Sequence, residues 1–246
     1  MKPILLPILV LMLMGLASCQ TTTGVPEARE ARVTTAVAGT TPLRIELDGS
    51  YCLVPRGRYA DDFDGRVWAA FDATEGNWRK VAYFITCHDY QAIQSSIIQY
   101  LAVEGEVSVF MPDGVPERFE GSRAAFIDAI IRAWDDRDVL EEGNESQRKL
   151  EEFFARRGQH KSRRLEGDAK VELIESDAYA AYFRLPYRHV LSGGSRDLVQ
   201  VFGKTMVDGM QVQVSFTTDR SVEAEIRALD VVKRLIYGLL NEEASI

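Results

Sequence analysis

The stretch LVQVFGKTMV-DG-MQVQVSFT, residues 198–217, decides the fold. Two apolar-rich runs flank Asp208-Gly209, the chemistry of a two-residue hairpin turn. Gln211, Gln213 and Ser215 alternate with Val212, Val214 and Phe216, so the second strand is expected to have one wet face and one dry face. Ser221 then stands at an N-cap position, with Glu223 and Glu225 placed to favour the helix dipole. Val222, Ile226, Leu229, Val232, Ile236 and Leu239 fall on one side at helical spacing. The spacing predicts an amphipathic helix lying across the sheet on that side.

Working outward, 170–174 and 179–184 read as paired strands, and Gly193-Gly194 as a hairpin connection. Upstream, 43–47 and 50–54 flank Asp48-Gly49 and predict another hairpin. Residues 67–71 and 80–87 read as strands, joined by a turn at 75–77. A helix capped by Asp89 is expected over 90–101, and a short strand over 106–111. Ser122 is placed to cap a largely buried helix over 123–134. Asn144 and Gln147 have capping-box spacing, and Leu150, Phe153 and Phe154 form a narrow stripe, so a second helix is expected near 145–157. The order of strands, helices, strands and helix implies an α+β sandwich built on an antiparallel sheet. The hairpin with Gly203-Lys204-Thr205 and Asp208-Gly209-Met210, then Ser215-Phe216 and a helix ending near Asn241, resembles the end of Mog1/PsbP-like domains over residues 170–241. That resemblance implies an α/β/α sandwich with a binding or assembly role, and carries over no functional residue.

The amino terminus says where the chain goes. Lys2 precedes an apolar run ending at Leu16, with no acidic residue: the n-region and h-region of a secretory signal. The run is short of the ~20 apolar residues that a spanning helix needs. Leu16-Ala17-Ser18-Cys19 resembles the bacterial lipobox. The resemblance covers residues 1–20 and implies cleavage before Cys19, with a diacylglyceryl thioether on its sulfur and an acyl group on its new amino terminus. Each buried methylene contributes about 0.8 kcal/mol, so three chains make an anchor that is effectively permanent. Gln20 rather than Asp after the cysteine implies sorting to the outer membrane. The expected organisation is a signal peptide at 1–18, a lipidated cysteine and flexible tether at 19–42, and one periplasmic domain at 43–246. The tether is expected because 20–42 is rich in Thr, Ala, Gly and Glu and poor in large apolar groups.

With Cys19 committed to lipid, Cys52 and Cys87 are an even pair in an oxidising compartment, and a disulfide is expected. A free Cys87 beside His88 and Asp89, acting as a redox or nucleophilic group, is the alternative. A net charge of −8 argues against nucleic acid as a partner, since a basic surface supplies most of that affinity. His88, His160 and His189 are scattered and form no metal-binding spacing. Asp61, Asp62, Asp64 and Gly65 begin like a calcium loop, but Arg66 and Val67 break it. No nucleophile elbow or phosphate loop is found, so no catalytic residue and no cofactor is assigned. Arg156, Arg157, Lys161, Arg163 and Arg164 form the one dense basic stretch, a candidate docking patch for phosphate headgroups or an acidic partner. It follows an acidic run from Asp135 to Glu152, with which it can pair through solvent. Trp68 and Trp134 read as core or strand-pairing residues, and Trp78 as an exposed turn residue. The expectation is a non-enzymatic envelope lipoprotein, membrane-bound through Cys19, that binds or helps assemble an envelope protein. The alternative is a carrier of, or an enzyme acting on, lipid or cell-wall fragments.

Overall fold

A computed structural model describes residues 32–38, 41–56, 63–74, 78–94, 105–112, 118–156, 163–167, 169–191 and 194–243. It is a mixed α+β structure. An eight-stranded antiparallel sheet is built from β3 (Tyr51–Leu53), β4 (Trp78–Thr86), β5 (Glu106–Pro112), β6 (Arg163–Glu166), β7 (Glu172–Ser176), β8 (Ala180–Leu191), β9 (Gly194–Val207) and β10 (Met210–Asp219). The spatial order is β3-β4-β5-β10-β9-β8, and β6 and β7 share the outer edge of β8. A separate ribbon pairs β1 (Arg32–Ala38) with β2 (Thr41–Leu47).

The β9–β10 hairpin forms as its sequence dictates. Asp208 and Gly209 both take positive φ, 48° and 73°, the conformation of a type I′ turn whose twist matches the strands. Ten residue pairs follow in register, from Val207↔Met210 to Leu198↔Asp219.

Helix α5 (Val222–Glu243) lies along β9 and β10, with Ser221 Oγ accepting from the Ala224 amide at 3.3 Å. Its buried stripe is Ala224, Ala228, Val231, Val232, Leu235, Ile236, Leu239 and Leu240. The expected stripe is therefore rotated at its start: Val222 and Ile226 are 70% and 57% exposed and point away from the sheet. Beside α5 the ribbon buries Leu43, Ile45 and Leu47 while Pro42, Arg44 and Glu46 stay wet. Two expectations are corrected here. Arg32–Ala38 is a strand rather than part of a tether, because β2 needs a partner for its alternating backbone groups. Asp48-Gly49 closes no hairpin: β2 pairs backward with β1, and β3 crosses to β4.

On the opposite face lie α1 (Phe63–Thr74), α3 (Arg123–Trp134) and α4 (Leu140–Ala155). Val67 and Trp68 of α1 pack with Val54, Tyr83 and Ile85, and the Trp68 indole donates to the Val54 carbonyl at 3.1 Å. Residues 67–71 are thus helical, not a strand: their apolar run satisfies either period, and packing against β4 chooses the helix. Helix α2 (Cys87–Gln94) starts earlier than expected and is capped by Thr86, whose Oγ1 accepts from the Asp89 amide at 3.1 Å while donating to Asp89 Oδ2 at 2.6 Å. The expected continuation of this helix past 94 and the turn at 75–77 lie outside the described residues. Ser122 caps α3 as expected, accepting from the Ala125 amide at 3.2 Å. Only Phe126, Ile127 and Ile130 of α3 are buried, so the helix is amphipathic rather than enclosed. Helix α4 begins five residues before its expected start, with Asp138 Oδ1 accepting from the Leu140 amide at 2.9 Å. Asn144 is no cap; its Oδ1 accepts from the Leu165 amide of β6 at 2.8 Å.

Gly203 is where α5 comes closest to the sheet. A Cβ there would lie 2.4 Å from Ile236 Cδ1, 3.0 Å from Val232 Cγ1 and 3.1 Å from Tyr182 Cδ1. Glycine in mid-strand gives up local stability so that the helix can seat. Gly203→Val therefore forces α5 off β9 and is expected to destabilise the fold by about 1–3 kcal/mol through overpacking. Chemical denaturation checks this; an unchanged midpoint would show that α5 does not seat on Gly203.

Candidate functional site

The face of the sheet under α3 and α1 carries an arrangement that alternation alone does not reveal. Lys80 pairs with Phe110, Phe110 with Gln213, Gln213 with Lys204, and Lys204 with Ala181. One cross-strand row thus holds two lysines, three strands apart. Lys204 is 0% exposed. Its Nζ donates to Gln213 Oε1 at 2.5 Å and sits 3.8 Å from the Trp134 ring centre and 4.4 Å from that of Trp78. Lys80 is also buried, its Nζ 3.3 Å from the Phe71 ring centre and 4.6 Å from that of Tyr83. Each ammonium is met by the negative faces of aromatic rings, which replace part of its lost hydration. Gln213, expected on a wet face, is under cover, and Ser215 beside it is buried. Trp78 is not an exposed turn residue: it opens β4, is half-buried and helps cage Lys204.

Burial, with the Arg137 guanidinium acting in the same direction, pushes the Lys204 amine down to about 7. Arg137 itself stacks on the outer side of this cage, 4.8 Å from the Trp134 ring centre, and bonds Glu142 at 2.5 Å. The cage therefore ties the end of α3 and the start of α4 to the centre of the sheet. An amine sealed from solvent cannot meet a solute, so its chemistry is cohesion rather than nucleophilic attack.

Just before the start of β8, Asp177 gathers four donors. Burial alone raises its carboxyl, but Tyr237 Oη at 2.7 Å, the amides of Tyr179 and Ala180 at 2.7 and 2.9 Å, and Tyr182 Oη at 3.1 Å outweigh it and hold it below its ordinary value. This carboxylate stitches α5 to the turn before β8 and is a structural hub.

Cys52 and Cys87 form the expected disulfide, with a Cα–Cα distance of 4.7 Å. The bridge joins β3 to the first residue of α2, so Cys87 is not a free thiol; His88 beside it is exposed. Of the expected basic patch, Arg156 is the exposed C-cap of α4, Arg163 opens β6, and Arg164 bonds Glu166 at 2.5 Å. Arg157 and Lys161 lie outside the described residues, as do Cys19, His160, Asp61 and Asp62. The acidic run is met from within its own helix: Arg148 bonds both Glu145 and Glu152, and Lys149 also reaches Glu145. Asp64 accepts from the Tyr90 hydroxyl at 3.1 Å. Among the described residues there is no group of three or more His, Cys, Asp or Glu that could hold a metal ion, and no helix long and apolar enough to cross a membrane. Open grooves among the described residues include two along the helices. One is lined by Glu141, Asn144, Glu145 and Arg148 along α4, and the other by Thr86, Phe216, Thr218 and Arg227 where α2 and α5 begin.

No protein-family model matches the chain, and no curated protein matches it. The solution structure of cyanobacterial PsbP (CyanoP) from Synechocystis sp. PCC 6803 aligns with 92% of this chain and 96% of its own, at 14% identity and a TM-score of 0.31. Likeness at that level carries no argument about family or function.

The lysine cage has a measurable signature. With an amine near 7 in the folded state and an ordinary value of 10.5 when unfolded, the unfolded chain binds the extra proton between those limits. Stability then rises with pH from about 7, by about 1.4 kcal/mol per unit where the difference is complete. Below about 7 both states are protonated and this contribution is constant. Lys204→Met should remove the rise between pH 7 and 9. Denaturation curves across that range check it; an equal slope in the variant would show that Lys204 is not the titrating group.

Proposed function

We propose that this chain is an exported lipoprotein, held through lipid on Cys19 to the periplasmic side of the outer membrane. Its domain binds or helps assemble another envelope component. The observation that carries the reading is the Cys52–Cys87 bridge. Structural disulfides belong to oxidising compartments. The bridge uses both cysteines of the domain, leaving Cys19 at the end of the lipobox as the remaining one of three. The Mog1/PsbP-like pattern of the last hairpin and helix supports a binding role. The 135–168 segment is our proposed docking region, and the charged α4, with none of its residues buried, supports that reading. The basic residues Arg156, Arg157, Lys161, Arg163 and Arg164 are proposed as its docking patch. Carriage or hydrolysis of lipid or cell-wall fragments is the competing reading, which requires an enclosed apolar pocket.

Cys19→Ser is expected to release the protein from membranes or leave it unprocessed, as fractionation of cells will show. Unchanged membrane attachment would refute the anchor. Cross-linking in intact cells, with recovery through a carboxy-terminal tag, is expected to yield one protein partner that is lost when 135–168 is deleted. Recovery of lipid or glycan alone would favour the carrier or enzyme reading.

A further inference from the structure

We propose that the domain lies on the lipid bilayer with one particular end down, Val222 and Ile226 of α5 dipping into the membrane interface. The inference rests on the lipid-anchor reading and adds an orientation to it.

The strand register brings the chain's point of entry and the start of α5 to the same end of the molecule. Arg32, the first residue of β1, pairs with Leu47. Asp48 follows, and the Tyr51 amide donates back to its carbonyl at 3.2 Å. Tyr51 pairs with Thr86, and its ring meets Phe216 edge-on at 6.2 Å. Phe216 and Thr218 line the groove that continues to Ala224 and Arg227 at the beginning of α5. The Cys52–Cys87 bridge closes the same end. Cys19 is thirteen residues before Arg32, a reach of at most roughly 45 Å. The entry end is therefore the part of the domain that lipid on Cys19 holds nearest the bilayer.

That end carries the most exposed large aliphatic side chains among the described residues. Val222 and Ile226 are one helical turn apart, at 70% and 57% exposure. The corresponding exposures of Phe119 and Tyr179, at the end where Asp208-Gly209 turns, are 38% and 46%. Three carboxylates at the entry end are each met by an arginine. Asp197 is held by Arg188, Asp219 by Arg196, and Glu225 by Arg184. Arg220 and Arg227 are exposed near the start of α5 and are placed to meet headgroup phosphates, while Glu223, Asp89, Asp48 and Glu106 are acidic groups at the same end. Two aliphatic side chains need not hold the protein to the membrane, because the lipid already does. Their effect is to favour one orientation of a domain that is already at the surface. The Asp208-Gly209 end is then presented away from the lipid.

The test uses the lipidated full chain in vesicles of phosphatidylethanolamine and phosphatidylglycerol. A cysteine is placed at Val222→Cys, Ile226→Cys or Tyr179→Cys, labelled with an environment-sensitive fluorophore while Cys52 and Cys87 stay bridged, and quenched by brominated lipid. All three sites are exposed, and unchanged circular dichroism confirms that each variant is folded. Labels at 222 and 226 are expected to be quenched severalfold more than the label at 179. Equal quenching at both ends, or none at 222 and 226 in protein that floats with the vesicles, would overturn the orientation while leaving the anchor standing. Failure of the unaltered lipoprotein to float would overturn both.

Discussion

The close approach of α5 to β9 at Gly203 is the constraint on which the rest of the structure depends. A missing side chain in mid-strand lets Val232 and Ile236 settle against the backbone of the sheet. Burial of Val232, Leu235, Ile236, Leu239 and Leu240 then contributes gross stabilisation of about 10 kcal/mol, against which the entropy of ordering the helix is set. The β1–β2 ribbon has a place only because α5 is there: Leu43, Ile45 and Leu47 join the same core. Asp177 extends this dependence to the edge of the sheet, since Tyr237 of α5 is one of its donors.

The opposite face is held by different physics. Its apolar cluster around Phe126, Ile127, Phe183 and Phe202 is smaller, and beside it the sheet buries two lysines among rings. Buried cations of this kind are weak sources of stability, since desolvation offsets much of the attraction. They do discriminate between arrangements. An ammonium that has rings from β4 and α3 around it, and one amide from β10, fits a single placement of α3 and leaves a charge uncompensated in any other. Helix α4, with no buried residue, is fastened through Arg137, Asn144 and a half-buried stripe rather than by a core of its own.

Legibility in the sequence followed the range of the forces involved. Asp208-Gly209, Ser122 and the strands around 170–184 were readable because each depends on a few adjacent residues. The pairing of Cys52 with Cys87 followed from compartment and parity. Residues 67–71 were misread because an apolar run shorter than two turns fits either period, and only contact with Tyr83 and Ile85 decides. The ribbon is not legible because Arg32–Ala38 has no apolar side chain larger than Val33 and Val37; pairing with its partner strand gives it order. The lysine cage was invisible for the same reason: Lys204 in Gly203-Lys204-Thr205 looks like a solvated charge until Trp78 and Trp134 arrive from distant parts of the chain. The exposed start of α5 was hidden because Val222 and Ile226 share the helical spacing of the buried stripe, while Ala224 and Ala228 are the residues that face the sheet there.

A main core between α5 and the sheet, with the ribbon at its margin and α4 fastened to the opposite face, makes a claim about cooperativity. Native-state hydrogen exchange reads it directly, because amides in the last unit to open exchange only through global unfolding. The account predicts that amides of β9 and β10 around Gly203 and Val214, with those of α5 from Ala228 to Leu239, share the slowest exchange and the full denaturant dependence. Amides of α4 should exchange through smaller, earlier openings. Slowest exchange in α4, or α5 exchanging ahead of the sheet it covers, would contradict it.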